Sequence, residues 1–89
     1  MNFPFQQIKE GDKIIRTFEP DVDSSELVWH RDEKDRIVRI IENEGWKFQK
    51  EDELPIDLVK NQKIFIKKED WHRVLKGEGK LIVEIEEII

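Results

Sequence analysis

The sequence has no cysteine, no alanine and no tyrosine among its 89 residues. Without cysteine there is neither a disulfide framework nor a thiolate zinc site. Glycine is scarce, at four residues, and none opens a phosphate-binding loop. Gly77-x-Gly79 lacks the third glycine, the Lys-Ser/Thr pair and a following helix. Ser24 and Ser25 sit in an acidic stretch with no glycine elbow, so a serine nucleophile is excluded. No apolar run approaches the ~20 residues that span a bilayer, so no membrane is expected as partner. Met1 to Gly11 has no basic region followed by an apolar one, so a cytoplasmic protein is expected. Basic residues are the minority: 16 Lys and Arg against 21 Asp and Glu, for a net charge of −5. That balance argues against a nucleic-acid binder, because such binding rests on neutralising phosphates.

What is abundant is β-branched. Thirteen isoleucines and six valines favour strands, because these side chains are stiff and suit a pleated surface. Lys13 to Phe18, Leu27 to Arg31, Trp46 to Gln49, Leu54 to Leu58, Lys63 to Lys67 and Trp71 to Leu75 all read as strands. In the last expected strand, Leu81, Val83 and Ile85 alternate with Ile82, Glu84 and Glu86. Arg36 to Glu44 is ambiguous. Its isoleucines also fit helical spacing, with Gly45 as a helix-ending glycine. Strand–turn–strand is preferred, with Asn43-Glu44-Gly45 as a hairpin turn in which Gly supplies positive φ. The expectation is one domain over 1–89, all-β, with about eight short antiparallel strands closed into a barrel.

Trp29-His30-Arg31 recurs as Trp71-His72-Arg73, so both histidines of the chain lie in the same tripeptide, 42 residues apart. In an extended strand each histidine points away from its Trp and Arg neighbours. Asp32, two residues after His30, shares the face of His30. Two imidazoles and one carboxylate suit a divalent metal, with iron, zinc, manganese and nickel all compatible.

The pattern Trp-His-Arg-Asp, Asp-Arg, Glu-Gly-Trp-x-x-Gln, Leu-Pro, Ile-x-Ile and Trp-His-Arg-x-x-Lys-Gly resembles small single-domain cupins of the RmlC-like jelly-roll class. These include short uncharacterised bacterial and phage members. The resemblance covers Trp29 to Ile85. His30 stands at the first histidine of the first cupin motif, Asp32 at the second and Gly45 at its closing glycine. The motif's Glu falls at Arg36 or Ile37 and is missing. His72 stands at the histidine of the second motif, whose glycines and proline are not kept. The resemblance implies a small cupin-like jelly-roll barrel with His30, Asp32 and His72 as metal ligands inside it. Gln49 would point inward as a ligand-binding residue.

Arg31, Arg36, Arg39 and Arg73 form a second constellation, since guanidinium forks bind carboxylates and phosphates. Arg36 and Arg73 are the candidates for ligand contact. The leading expectation is thus a metal- and small-molecule-binding protein, with metal-dependent catalysis as its enzyme form. A non-catalytic cupin-like binding module without metal is the alternative, with the apolar N-terminus and Ile88-Ile89 available to a homodimer interface. A second alternative is an α+β RNA-binding module similar to the HicA type. It needs a helix over Arg36 to Glu44 followed by Gly45-Trp46 and a strand.

Overall fold

The computed structural model describes residues 3–88. Eight strands follow one another: β1 Gln6–Glu10, β2 Lys13–Phe18, β3 Asp35–Asn43, β4 Lys47–Lys50, β5 Ile56–Asp57, β6 Lys63–Ile66, β7 His72–Leu75 and β8 Leu81–Ile88. One 3-10 turn, Ser24–Glu26, lies between β2 and β3. There is no α-helix among the described residues, and no helix long and apolar enough to cross a membrane. The residues that a HicA-like fold would need as helix are β3. Ile89 of the expected dimer interface lies outside the described residues.

The strands do not close into a barrel, which corrects the expected architecture. They form two separate antiparallel sheets: β1-β2-β8-β3-β6 and β5-β4-β7. The physical reason lies at two turns, the first of them the expected hairpin turn. Asn43-Glu44-Gly45 joins β3 to β4, and Gly77-Glu78-Gly79 joins β7 to β8, yet each pair of strands belongs to different sheets. Both turns are corners at which the chain changes sheet, the usual device of two-layer β folds. Gly45 has φ +89°, a conformation that a side chain strains. The two corners are bonded to each other: the Glu78 and Gly79 amides both donate to the Glu44 carbonyl, at 3.0 and 3.1 Å. A Cβ on Gly77 would come within 2.5 Å of that carbonyl, so only glycine fits there. Asn43 closes the first corner. Its Oδ1 accepts from the Trp46 amide at 2.9 Å, and its Nδ2 donates to the carbonyl of Leu58 at 2.8 Å.

Two other strand expectations shift. Leu27 to Arg31 is not a strand; only His30 pairs, in a single bridge. Leu54 to Leu58 shrinks to the two residues of β5, because Pro55 has no amide to give to a ladder. Gln6–Glu10 pairs instead as the edge strand β1, through a two-residue turn that opens with Gly11 at φ +62°.

The core fills the space between the sheets. β8 sits inside the larger sheet and buries Leu81, Val83 and Ile85 on one face. Phe48 of β4 and the fully buried Trp46 face them from the smaller sheet. Each such side chain contributes about 1.5–3 kcal/mol by leaving water. The Trp46 indole also donates to the Gly79 carbonyl at 2.6 Å, so its one polar atom is satisfied.

Candidate metal centre and its cavity

His72 begins β7, whose far edge carries no full strand. His30 docks there alone: its amide donates to the His72 carbonyl at 3.0 Å, and the His72 amide donates back at 2.9 Å. Residues directly opposite each other in an antiparallel pair project to the same side. The bridge therefore sets both imidazoles side by side, with ring centroids 4.2 Å apart. Asp32 follows on the same loop and is fixed from behind, since its carbonyl accepts from the Glu69 amide at 2.8 Å. One nitrogen of each histidine and one carboxylate oxygen of Asp32 lie within 4.8 Å of one another. The structure thus brings together the three residues that the sequence singled out as ligands.

Both rings are oriented in the same way. His30 Nδ1 faces the Val28 carbonyl at 3.2 Å, and His72 Nδ1 faces the Asp70 carbonyl at 2.8 Å. A carbonyl only accepts, so Nδ1 carries the proton and a neutral ring presents the bare lone pair of Nε2. His72 Nε2 then meets Asp32 Oδ2 at 3.3 Å. Asp32 Oδ2 is buried and has no hydrogen-bond donor among the described residues. Two lone pairs facing each other in a buried place need a positive species between them, either a second proton on the ring or a cation. The other oxygen, Oδ1, is held by Arg36 Nη1 at 3.2 Å, and Arg36 Nη2 also pairs with Glu87 at 3.0 Å.

Burial acts to raise the Asp32 carboxyl, but the contact with His72 and the charge of Arg36 outweigh it and hold the group below its usual range. The His30 ring is also held below its ordinary value, by partial loss of water where it lines the cavity and by the neighbouring His72.

These groups form the polar end of a cavity of about 420 Å³ between the sheets. That lies within the usual range of small-molecule sites, about 300–1,000 Å³. Its walls are otherwise mostly apolar, with Phe18, Val38, Phe48, Ile64 and Val83 among them. Arg36 lines it. Gln49, expected to point inward, and Arg73, a candidate for ligand contact, are not among the lining residues. They lie opposite each other in the β4–β7 ladder, and Arg73 Nε donates to Gln49 Oε1 at 2.9 Å. Gln49 also donates to the Glu53 carbonyl. The alternation that turns Phe48 inward turns Gln49 outward.

Arg73 has a different task. Its guanidinium lies 4.5 Å from the ring centre of Trp29, and Arg31 lies 5.2 Å from that of Trp71. Each arginine thus covers the tryptophan of the other tripeptide, clasping the His30–His72 bridge from outside. Arg31 and Arg39 otherwise pair with acids, Glu69 and Glu84. The sequence reading missed Arg16, which also lines the cavity. Its signal was present: it interrupts the inward stripe Ile14, Arg16, Phe18 of β2.

No protein-family model matches the sequence. No curated protein matches it either. Solved structures do. A cupin-2 domain protein from Shewanella frigidimarina superposes with a TM-score of 0.65 at 20% identity, over 99% of this chain and 85% of its own. A structure of the DMSP lyases RdDddP and RnDddQII gives 0.69 at 12% identity over 82% of this chain. This chain spans only 35% of that one. Fe(II)-HppE gives 0.64 at 12% identity, over 94% of this chain and 48% of its own. Likeness at such identities speaks to the fold alone, and the fold of this chain is cupin-like.

Proposed function

We propose that the protein holds a divalent metal ion through His30, Asp32 and His72, and that the adjoining cavity takes a small molecule. The observation that carries this reading is the bare Asp32 Oδ2 beside His72 Nε2. Both histidines are already fixed through Nδ1 by backbone carbonyls, the second-sphere arrangement that makes imidazole a good ligand. Two histidines and one carboxylate leave open positions for a ligand and suit iron, zinc, manganese or nickel. Iron leads, because a fold relative is described as an Fe(II) protein. A bound ion would supply Lewis acidity to a chelating group of the small molecule. The chain itself supplies the rest. Arg36 steadies Asp32, and the two carbonyls fix the imidazoles. A metal-dependent enzyme is the catalytic form of this reading.

A binding module without metal is the second reading. It is favoured by Arg36, at one of the two positions where the cupin Glu would fall, which already neutralises Asp32 at 3.2 Å. Metal analysis of untagged protein, followed by titration with each of the four ions, separates the two. The metal reading expects about one ion per chain and its loss in His30→Ala and His72→Ala. A metal-free protein whose variants take up every offered ion as the parent does would leave only the second reading.

A further inference from the structure

Arg16 is a charge in a row of core positions. Along β2, Ile14, Arg16 and Phe18 face Ile85, Val83 and Leu81 of β8, all three of which are buried. Arg16 is half-buried, and a cation partly withdrawn from water normally has an acid beside it. Arg16 has none: among the described residues no carboxylate lies within ion-pair distance of its guanidinium, whereas Arg31, Arg36 and Arg39 each have one. Among the described residues its guanidinium hydrogen-bonds to the neutral Gln7, directly opposite on β1. Gln7 Oε1 accepts from Nε at 3.0 Å and from Nη2 at 2.9 Å. Phe5 packs under the plane of the guanidinium, 3.9 Å from its centre.

These contacts fix the group and leave part of it unused. A guanidinium has five N–H donors, and Gln7 takes two on the Nε side. The end-on pair of Nη1 and Nη2 donors keeps the parallel spacing that fits a carboxylate. Neighbouring Arg36 also lacks a partner for its buried Nε. The cavity beyond is mostly apolar, and among the described residues the acids on its wall are Glu26 and Asp32.

We infer that the cavity binds a small organic monocarboxylate with an apolar tail, its carboxylate held end-on by Arg16 and its tail against the apolar walls between the sheets. A phosphate dianion fits less well, because Asp32 and Glu26 line the same space. The inference deepens the small-molecule half of the proposed function and rests on it, but it does not need the metal.

The test uses the full chain and the straight-chain acids from butanoate to decanoate, each compared with the primary alcohol of the same length. Binding is followed by amide NMR or calorimetry, with and without EDTA. The expected result is that an acid of intermediate length binds and outlasts EDTA. Its alcohol, and the acid with Arg16→Gln, should bind about 10- to 100-fold more weakly, as befits loss of a charge-assisted pair. If Arg16→Gln does not fold, Arg16→Lys keeps the charge without the fork, and at least a few-fold weakening is expected. Acids that bind equally well to the parent and to a folded Arg16 variant overturn the inference, as do acids that bind no better than their alcohols. Acid binding that vanishes with EDTA and ignores Arg16 also overturns it, while leaving the metal reading intact. A parent that binds neither acids nor alcohols refutes the inference together with the small-molecule reading.

Discussion

Trp29-His30-Arg31 and Trp71-His72-Arg73 are the same three residues in two unlike settings. The second is part of β7, and its histidine is only 4% exposed. The first lies on a loop, its histidine is open to solvent, and one bridge holds it to the sheet. The bridge has a local two-fold character. Each histidine bonds the other's backbone, and each arginine covers the other's tryptophan. The symmetry ends with burial. His72 is braced by Phe48 and Asp70, while His30 leans on Val28 and on the His72 ring itself. Of two ligands that are equal in chemistry, one also belongs to the core and the other is held by the first.

The sharpest way to break this comparison is His72→Ala. It should lower stability by about 2–4 kcal/mol, read by denaturant unfolding, because it empties a packed place. It should also lower metal affinity by well over about 100-fold, since even outer-sphere partners matter at the ~10- to 100-fold level. Asp32→Asn comes next. It removes the carboxylate ligand and leaves Arg36 with Glu87 only, a loss of about 1–3 kcal/mol at neutral pH. The native Asp32 carboxyl titrates below its usual 3.8. Its contribution is therefore present above pH 3.8 and fades as pH falls through the lower native value. The gap between parent and Asp32→Asn should close over that acid range.

His30→Ala should remove metal binding as fully as His72→Ala does, but with a stability loss of only about 0.5–1 kcal/mol, because the ring is exposed. Equal stability losses at the two positions would erase the distinction drawn here. His30 also titrates below its ordinary 6.5 in the folded chain. The unfolded state takes its proton first, so stability is full above pH 6.5 and declines as pH falls through the lower native value. That slope should be absent in His30→Ala. The smallest effect belongs to Trp29→Ala. Loss of the Arg73 stacking should lower stability by about 0.5–1 kcal/mol and loosen His30, seen as a few-fold weaker metal affinity.

How much of this is legible in the chain depends on range. In β8, Leu81, Val83 and Ile85 turn inward and Glu84 and Glu86 outward, as plain alternation requires. The convergence of His30, Asp32 and His72 was legible because Trp-His-Arg occurs twice and Asp32 follows at the right spacing. The strand at Leu27 to Arg31 was not there to be found. Pairing, not composition, makes a strand, and only one residue of that stretch meets a partner. Arg16 was overlooked because a basic residue in a strand usually faces water. Its alternation with Ile14 and Phe18 marked the inner face, and the β2–β8 register sets it opposite the buried Val83.

The sequence by itself determined an all-β chain, the face on which most strand residues lie, and the identity of the three candidate ligands. These are short-range properties: a two-residue period, β-branched stiffness and the offset from His30 to Asp32. Only the tertiary structure decided that the strands divide into two sheets, because a turn residue such as Gly45 allows the chain to bend without saying which strand it will meet next. The same long-range pairing put Gln49 and Arg73 outside and Arg16 inside. Which side of a strand faces the cavity depends on the sheet that the strand joins.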